Sequence, residues 1–80
     1  MYTIRMGSDI AESQIDDLSG SEINVLLDLY DILQLTPGNG RKLRRAGNMY
    51  VWDYKGLSVT YIVLDPQNEV AVLRVDRFPG

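Results

Sequence analysis

The stretch Tyr50-Val51-Trp52-Asp53-Tyr54-Lys55-Gly56-Leu57-Ser58-Val59-Thr60-Tyr61-Ile62-Val63-Leu64 reads as two strands, Tyr50–Lys55 and Leu57–Leu64. Both are rich in aromatic and β-branched residues, and Gly56 marks the turn between them. Asp65-Pro66-Gln67-Asn68-Glu69 supplies a second turn, and Val70–Val75 closes a three-stranded antiparallel meander. Alternation sends Tyr50, Trp52, Val59, Tyr61, Val63, Ala71, Leu73 and Val75 to one face. The opposite face receives Val51, Asp53, Lys55, Ser58, Thr60, Val72, Arg74 and Asp76. One face is greasy and has to be covered; the other is largely polar.

The cover lies upstream. Tyr2–Met6 alternates as a short first strand, adding Tyr2 and Ile4 to the apolar face and Thr3 and Arg5 to the other. Asp9 with Glu12 has capping-box spacing, and Ala11, Ile15 and Leu18 then recur on one side of a helix. Ser19-Gly20-Ser21 interrupts it, with Ser19 and Glu22 again at capping-box spacing for a second helix, Glu22–Leu35. That helix carries Ile23, Leu26, Leu27, Tyr30 and Leu33 three and four apart, and Thr36-Pro37-Gly38 stops it. Pro37–Asn48, with its glycines and four basic residues, reads as a loop with at most a turn in Lys42–Arg45. The order β-α-α-β-β-β predicts a single α+β domain over residues 1–80, with the helical hairpin packed on one sheet face.

Composition narrows the chemistry. Hydrophobic residues make up 45% and charged residues 24% of the 80, ordinary values for a folded domain. The absence of Cys excludes disulfides and thiolate nucleophiles, and the absence of His excludes imidazole bases and triads built on them. No apolar run is long enough to span a bilayer and the N-terminal residues lack the zones of a signal peptide, so a soluble, cytoplasmic protein is expected. The net charge of −3 hides an asymmetry: residues 1–36 hold one basic residue, Arg5, against seven acidic ones. Residues 37–80 hold seven basic residues against four acidic ones. Such a division suits a surface that faces anions on one side only.

Most motifs have plain readings. Gly38-Asn39-Gly40-Arg41-Lys42 lacks the spacing of a phosphate-binding loop and reads as a linker. Asp16 and Asp17 diverge on a helix and read as a solvated face, so no metal or other cofactor is expected. Ser58 has no base to activate it. Tyr50, Trp52 and Tyr61 have the flat rings that stack on bases, but alternation turns them toward the helices and favours core packing. The informative set is basic. Arg41, Lys42, Arg44 and Arg45 share a loop, Arg5, Lys55 and Arg74 are expected on the uncovered sheet face, and Arg77 falls just past its end. Together they would form a groove for a phosphate backbone. In a His-free ribonuclease such cations would stabilise the charged phosphorane as a 2′-OH attacks the adjacent phosphate. The competing reading has Asp53 and Asp76 occupying Arg5 and Arg74 in surface ion pairs of small worth.

As a whole the chain resembles the RelE/ParE superfamily of bacterial toxins from type II toxin–antitoxin systems. The resemblance runs from Met1-Tyr2-Thr3-Ile4-Arg5 through the hairpin to Pro37 and Arg41-Lys42-Leu43-Arg44, then Tyr50. It continues in Leu57-Ser58-Val59-Thr60-Tyr61-Ile62-Val63 and Glu69-Val70-Ala71-Val72-Leu73-Arg74-Val75. It implies a toxin neutralised by a cognate antitoxin in a heteromeric complex, acting as a metal-independent endonuclease on mRNA at the ribosome or as a ParE-like gyrase poison. The chain departs from the ribonuclease pattern where basic residues are usual, having Val51, Asp53 and Ser58 instead. The tail that often bears a catalytic Tyr is also not expected, since only Phe78-Pro79-Gly80 follow Arg77. By the resemblance, Lys55 and Arg77 stand nearest to catalytic positions and Arg44 would contact substrate; the basic set read from the residues adds Arg41, Lys42, Arg45 and Arg74 as substrate contacts. A non-catalytic binding domain is the alternative it leaves open.

Overall fold

Helix capping, strand alternation and one two-residue hairpin fix the architecture of the computed structural model, which describes residues 1–45 and 47–77. Phe78-Pro79-Gly80, where the sequence leads us to expect no catalytic tail, lie outside the described residues. In chain order the elements are β1 (Thr3–Met6), α1 (Asp9–Asp16), α2 (Gly20–Leu35), β2 (Arg41–Lys42), β3 (Met49–Tyr54), β4 (Leu57–Leu64) and β5 (Glu69–Arg77). They form a sheet in the order β1-β5-β4-β3-β2, with β1 parallel to β5 and the other neighbours antiparallel. The α+β fold, the hairpin on one sheet face and the β3–β4–β5 meander agree with the sequence reading. The short β2 does not: Arg41 pairs with Val51 and Lys42 with Tyr50, so part of the expected loop becomes an edge strand.

The two helices are capped by different means. Ser8, rather than Asp9, caps α1, its hydroxyl accepting from the Ala11 amide. Ser19 caps α2 in the expected capping box, its side chain accepting from the Glu22 amide while Glu22 accepts from the Ser19 amide. Each such cap satisfies amides that the first turn leaves without partners.

The core lies between the hairpin and the sheet. Ala11, Leu26, Leu29 and Leu33 from the helices meet Leu57, Val59, Tyr61 and Val63 of β4 and Val70, Val72 and Val75 of β5. Here β5 departs from simple alternation. Thr60 pairs with Arg74 and Tyr61 with Val72, so the register skips Leu73 and changes which residues face inward. Val70 and Val72 therefore enter this cluster in place of Ala71 and Leu73, to which alternation assigns the inner face.

β1 ends before β5 does, and α1 completes the job of covering that edge. The Ser8 hydroxyl donates to the Leu73 carbonyl, and the Gln14 amide side chain accepts from the Val75 amide while donating to Asp76. Strand groups left open by β1 are thereby satisfied from a helix, which is one way a sheet edge is closed against other chains. The helical layer lies chiefly over β1, β5 and β4, with β3 and β2 toward its margin.

Candidate nucleic-acid interface

Cross-strand pairs share a face, so the register assigns each basic residue on a strand a side. Arg41 stands opposite Val51 and lies on the face away from the helices, together with Arg5 and Arg74. Lys42 stands opposite Tyr50 and lies on the helix side. Arg44 and Arg45 are exposed in the following loop, which is tied to the start of β3 by a 2.9 Å bond from the Leu43 amide to the Met49 carbonyl.

Three cations are already engaged. Arg5 Nε meets Glu69 at 2.5 Å, and Arg74 meets Asp76 at 3.2 Å. The expectation that Asp76 holds Arg74 is met; Arg5 takes Glu69 instead of Asp53. Arg77 is not past the sheet but is the last residue of β5, opposite Leu57 on the helix side. Its Nε and Nη2 donate to the two Glu22 carboxylate oxygens at 2.6 and 2.9 Å, and Nη2 also donates to the Asp17 carbonyl at 2.8 Å. This fork holds the Glu22 carboxyl well below its ordinary 4.5, at about 2, with the Ser19 amide of the capping box adding to the effect. The Arg77 guanidinium is correspondingly pushed up by Glu22.

Strand alternation places Lys55 at the end of a strand on the uncovered face. It lies instead in the turn between β3 and β4, at φ 48° beside Gly56 at φ 90°, the backbone pair of a two-residue hairpin with both φ values positive. Its ammonium stands 5.3 Å from the centre of the Tyr54 ring, on the helix side of the sheet. The loop of Arg44 and Arg45 joins the Met49 end of β3 and Lys55 the Tyr54 end, so the sequence-predicted cations do not form one groove. They form a basic rim around β2 and β3, with Arg41, Lys42, Arg44, Arg45 and Lys55 unpaired among the described residues.

The face between these cations carries the β3 and β4 residues that alternation assigns to it. Val51 and Asp53 project from β3 opposite Thr60 and Ser58, and Met49 faces Ile62, giving an open sheet surface that is apolar at one end and neutral or acidic at the other. Among the described residues no cluster of ligating side chains suits a metal ion, and no helix is long and apolar enough to cross a membrane.

The aromatic row lies on the helix side, where alternation places Tyr50, Trp52 and Tyr61; what the sequence reading missed is Tyr54, which extends it. Tyr50 stacks on Tyr61, with ring centres 5.5 Å apart and planes 8° from parallel, and Trp52 leans on Tyr54 at 5.1 Å. The Tyr61 hydroxyl is fixed by donating to the Pro37 carbonyl and accepting from the Gly40 amide. Tyr54 follows Trp52 by two positions and is the detectable signal of a continued row.

The fold is shared with chains of two solved toxin–antitoxin complexes, in line with the resemblance read from the sequence. Superposition pairs the chain with one from the toxin–antitoxin complex RelBE2 of Mycobacterium tuberculosis, at 22% identity and a TM-score of 0.84, over 96% of this chain and 98% of that one. A chain of the intact RelBE toxin–antitoxin complex of E. coli matches over 100% of both chains, at 20% identity and a TM-score of 0.80. No family model and no curated protein matches the sequence.

Proposed function

We propose that this chain is the toxin of a type II toxin–antitoxin system, acting in the cytoplasm on ribosome-bound mRNA and held inactive by a cognate antitoxin. The observation that carries this reading is the rim of unpaired cations, Arg41, Lys42, Arg44, Arg45 and Lys55, on the fold shared with chains of two RelBE complexes. Phosphates neutralised by such a rim release counterions, which gives sequence-independent affinity. Cleavage would need no metal: the mRNA 2′-OH loses its proton to water as it attacks the neighbouring phosphate. The bond from phosphorus to the 5′-oxygen breaks to leave a 2′,3′-cyclic phosphate, the departing 5′-oxygen takes a proton from water, and Lys55 and Arg77 stabilise the charge that develops. Arg77 does so only after leaving Glu22, while Arg74, paired with Asp76, adds a weaker contact at the edge.

A second reading has a specific observation behind it. Asp53 and Ser58 face each other on the open sheet surface, where a cleaving site would be served by cations. A domain that binds without cutting, engaging only its antitoxin or a gyrase, fits that surface. Inducible expression with growth and RNA integrity read together separates the two. The first predicts arrest with mRNA cut within codons, relieved by Arg44→Ala/Lys55→Ala/Arg77→Ala; a folded triple variant that remains fully toxic removes the assigned site. Normal growth with intact RNA leaves a domain that engages only its antitoxin, and arrest with intact translation and gyrase-dependent DNA damage leaves the gyrase-directed one.

A further inference from the structure

The helices pack chiefly on β1, β5 and β4, so the inner side of β3 lies at the margin of the core, its rings packed against the core cluster on one side and only partly buried. Tyr50, Trp52 and Tyr54 alternate along it in a row of about 13 Å, given a strand rise of about 3.3 Å per residue. The chain beside the row comes in close to its base at Gly40, just before β2. A Cβ at Gly40 would stand 2.6 Å from the Tyr61 hydroxyl and 3.1 Å from the Trp52 Cβ. Both ends of the row carry a cation: Lys42, paired with Tyr50 across β2 and β3, and Lys55, over Tyr54. Both are exposed and neither has a carboxylate partner among the described residues.

We infer that Trp52, Tyr54 and Lys55, with Lys42 at the far end, form a stacking platform for single-stranded RNA on the helix side of β3. The inference rests on the RNA-binding reading above and adds a contact surface to it, on the opposite side of the sheet from Arg41, Val51 and Asp53. Flat rings in a row accept bases of any sequence through their π faces, and the lysines at either end neutralise the phosphates flanking a stacked base. Aromatic rings alone would serve a helix or a peptide as well. The cations bracketing the row are what select an anionic chain whose units are themselves aromatic.

The chain has a single Trp, so its emission reports this surface alone. The 80-residue protein is titrated with a fluorescein-labelled oligoadenylate of about ten nucleotides, reading label anisotropy and Trp52 emission together. Anisotropy should rise and Trp52 emission should be quenched over the same concentrations. Tyr54→Leu should weaken binding on the order of tenfold, the range of a base–aromatic stack. Because Tyr54→Leu also removes a ring that packs beside the core, Lys55→Asn provides the second variant. Asn is favoured at this left-handed turn position, so the hairpin is kept while the cation is removed, and affinity should fall several-fold with the circular dichroism unchanged. Rising anisotropy with unchanged Trp52 emission, and no effect of either variant, overturns the platform while leaving RNA binding through the rest of the rim intact. No anisotropy change at any concentration overturns both.

Discussion

Tyr30 brings its hydroxyl into a buried position on α2 with no hydrogen-bond partner among the described residues, and burial pushes its ionisation up to about 12. An orphaned buried hydroxyl costs about 1–3 kcal/mol of desolvation, so Tyr30→Phe should be neutral or stabilising by up to about 1 kcal/mol in denaturant unfolding. The sign of the alkaline effect follows from the raised value. The neutral phenol is favoured on folding, so its contribution is fully present below 10 and fades as the pH climbs toward about 12. The stability of Tyr30→Phe should therefore fall less steeply than that of the unsubstituted chain over this interval. Single residues also mark the limit of sequence reading. Nothing near Arg77 in the chain announces Glu22, which lies 55 positions away, and only the folded hairpin brings the two together. Lys55 escapes the strand pattern for a local reason: it continues the alternation in sequence, but Gly56 recruits it into the turn at positive φ.

At the scale of elements, both helices, the meander and the capping box at Ser19 were legible, because each rests on a period or a spacing. Two features were not. The two-residue β2 is too short to carry a period and is made by pairing with β3. The skipped Leu73 breaks alternation from within, which is why Val72 rather than Leu73 is buried. The clasp of Arg77 on Glu22 is also a property of elements, joining the last residue of β5 to the first turn of α2 and, through the Asp17 carbonyl, to the end of α1. Glu22 is depressed in the folded chain, so the clasp stabilises fully above about 4.5 and fades as the pH falls toward about 2. Thermal midpoints of the unsubstituted chain and Glu22→Gln should thus differ at neutral pH and converge in acid as the carboxylate is protonated. A constant difference across that range would mean that the carboxylate charge is not what holds the junction.

For the whole molecule, the uneven charge read from the sequence survives in space, though as a rim and not a groove. Arg41, Lys42, Arg44, Arg45 and Lys55 border β2 and β3, while α1 and α2 present Asp9, Glu12, Asp16, Asp28 and Asp31 away from the core. Binding to RNA should therefore weaken steeply with salt, and Arg44→Gln/Arg45→Gln should reduce the slope of log affinity against log salt by about 0.7 for each phosphate no longer neutralised. An unaltered slope would place the phosphates elsewhere.

The parallel pairing of β1 with β5 also governs when the molecule can exist. Arg5 and Glu69 are 64 positions apart, yet they meet on adjacent strands. During synthesis, a nascent chain that has reached only Leu64 holds the residues of β1, both helices and the β3–β4 hairpin, but it lacks β5, the strand between β1 and β4, so β1 has nothing to lie against. Completion is then a late, long-range closure of the kind that slows folding. On the toxin reading proposed above, the chain would in this way stay harmless to the ribosome that makes it until its fifth strand has been translated.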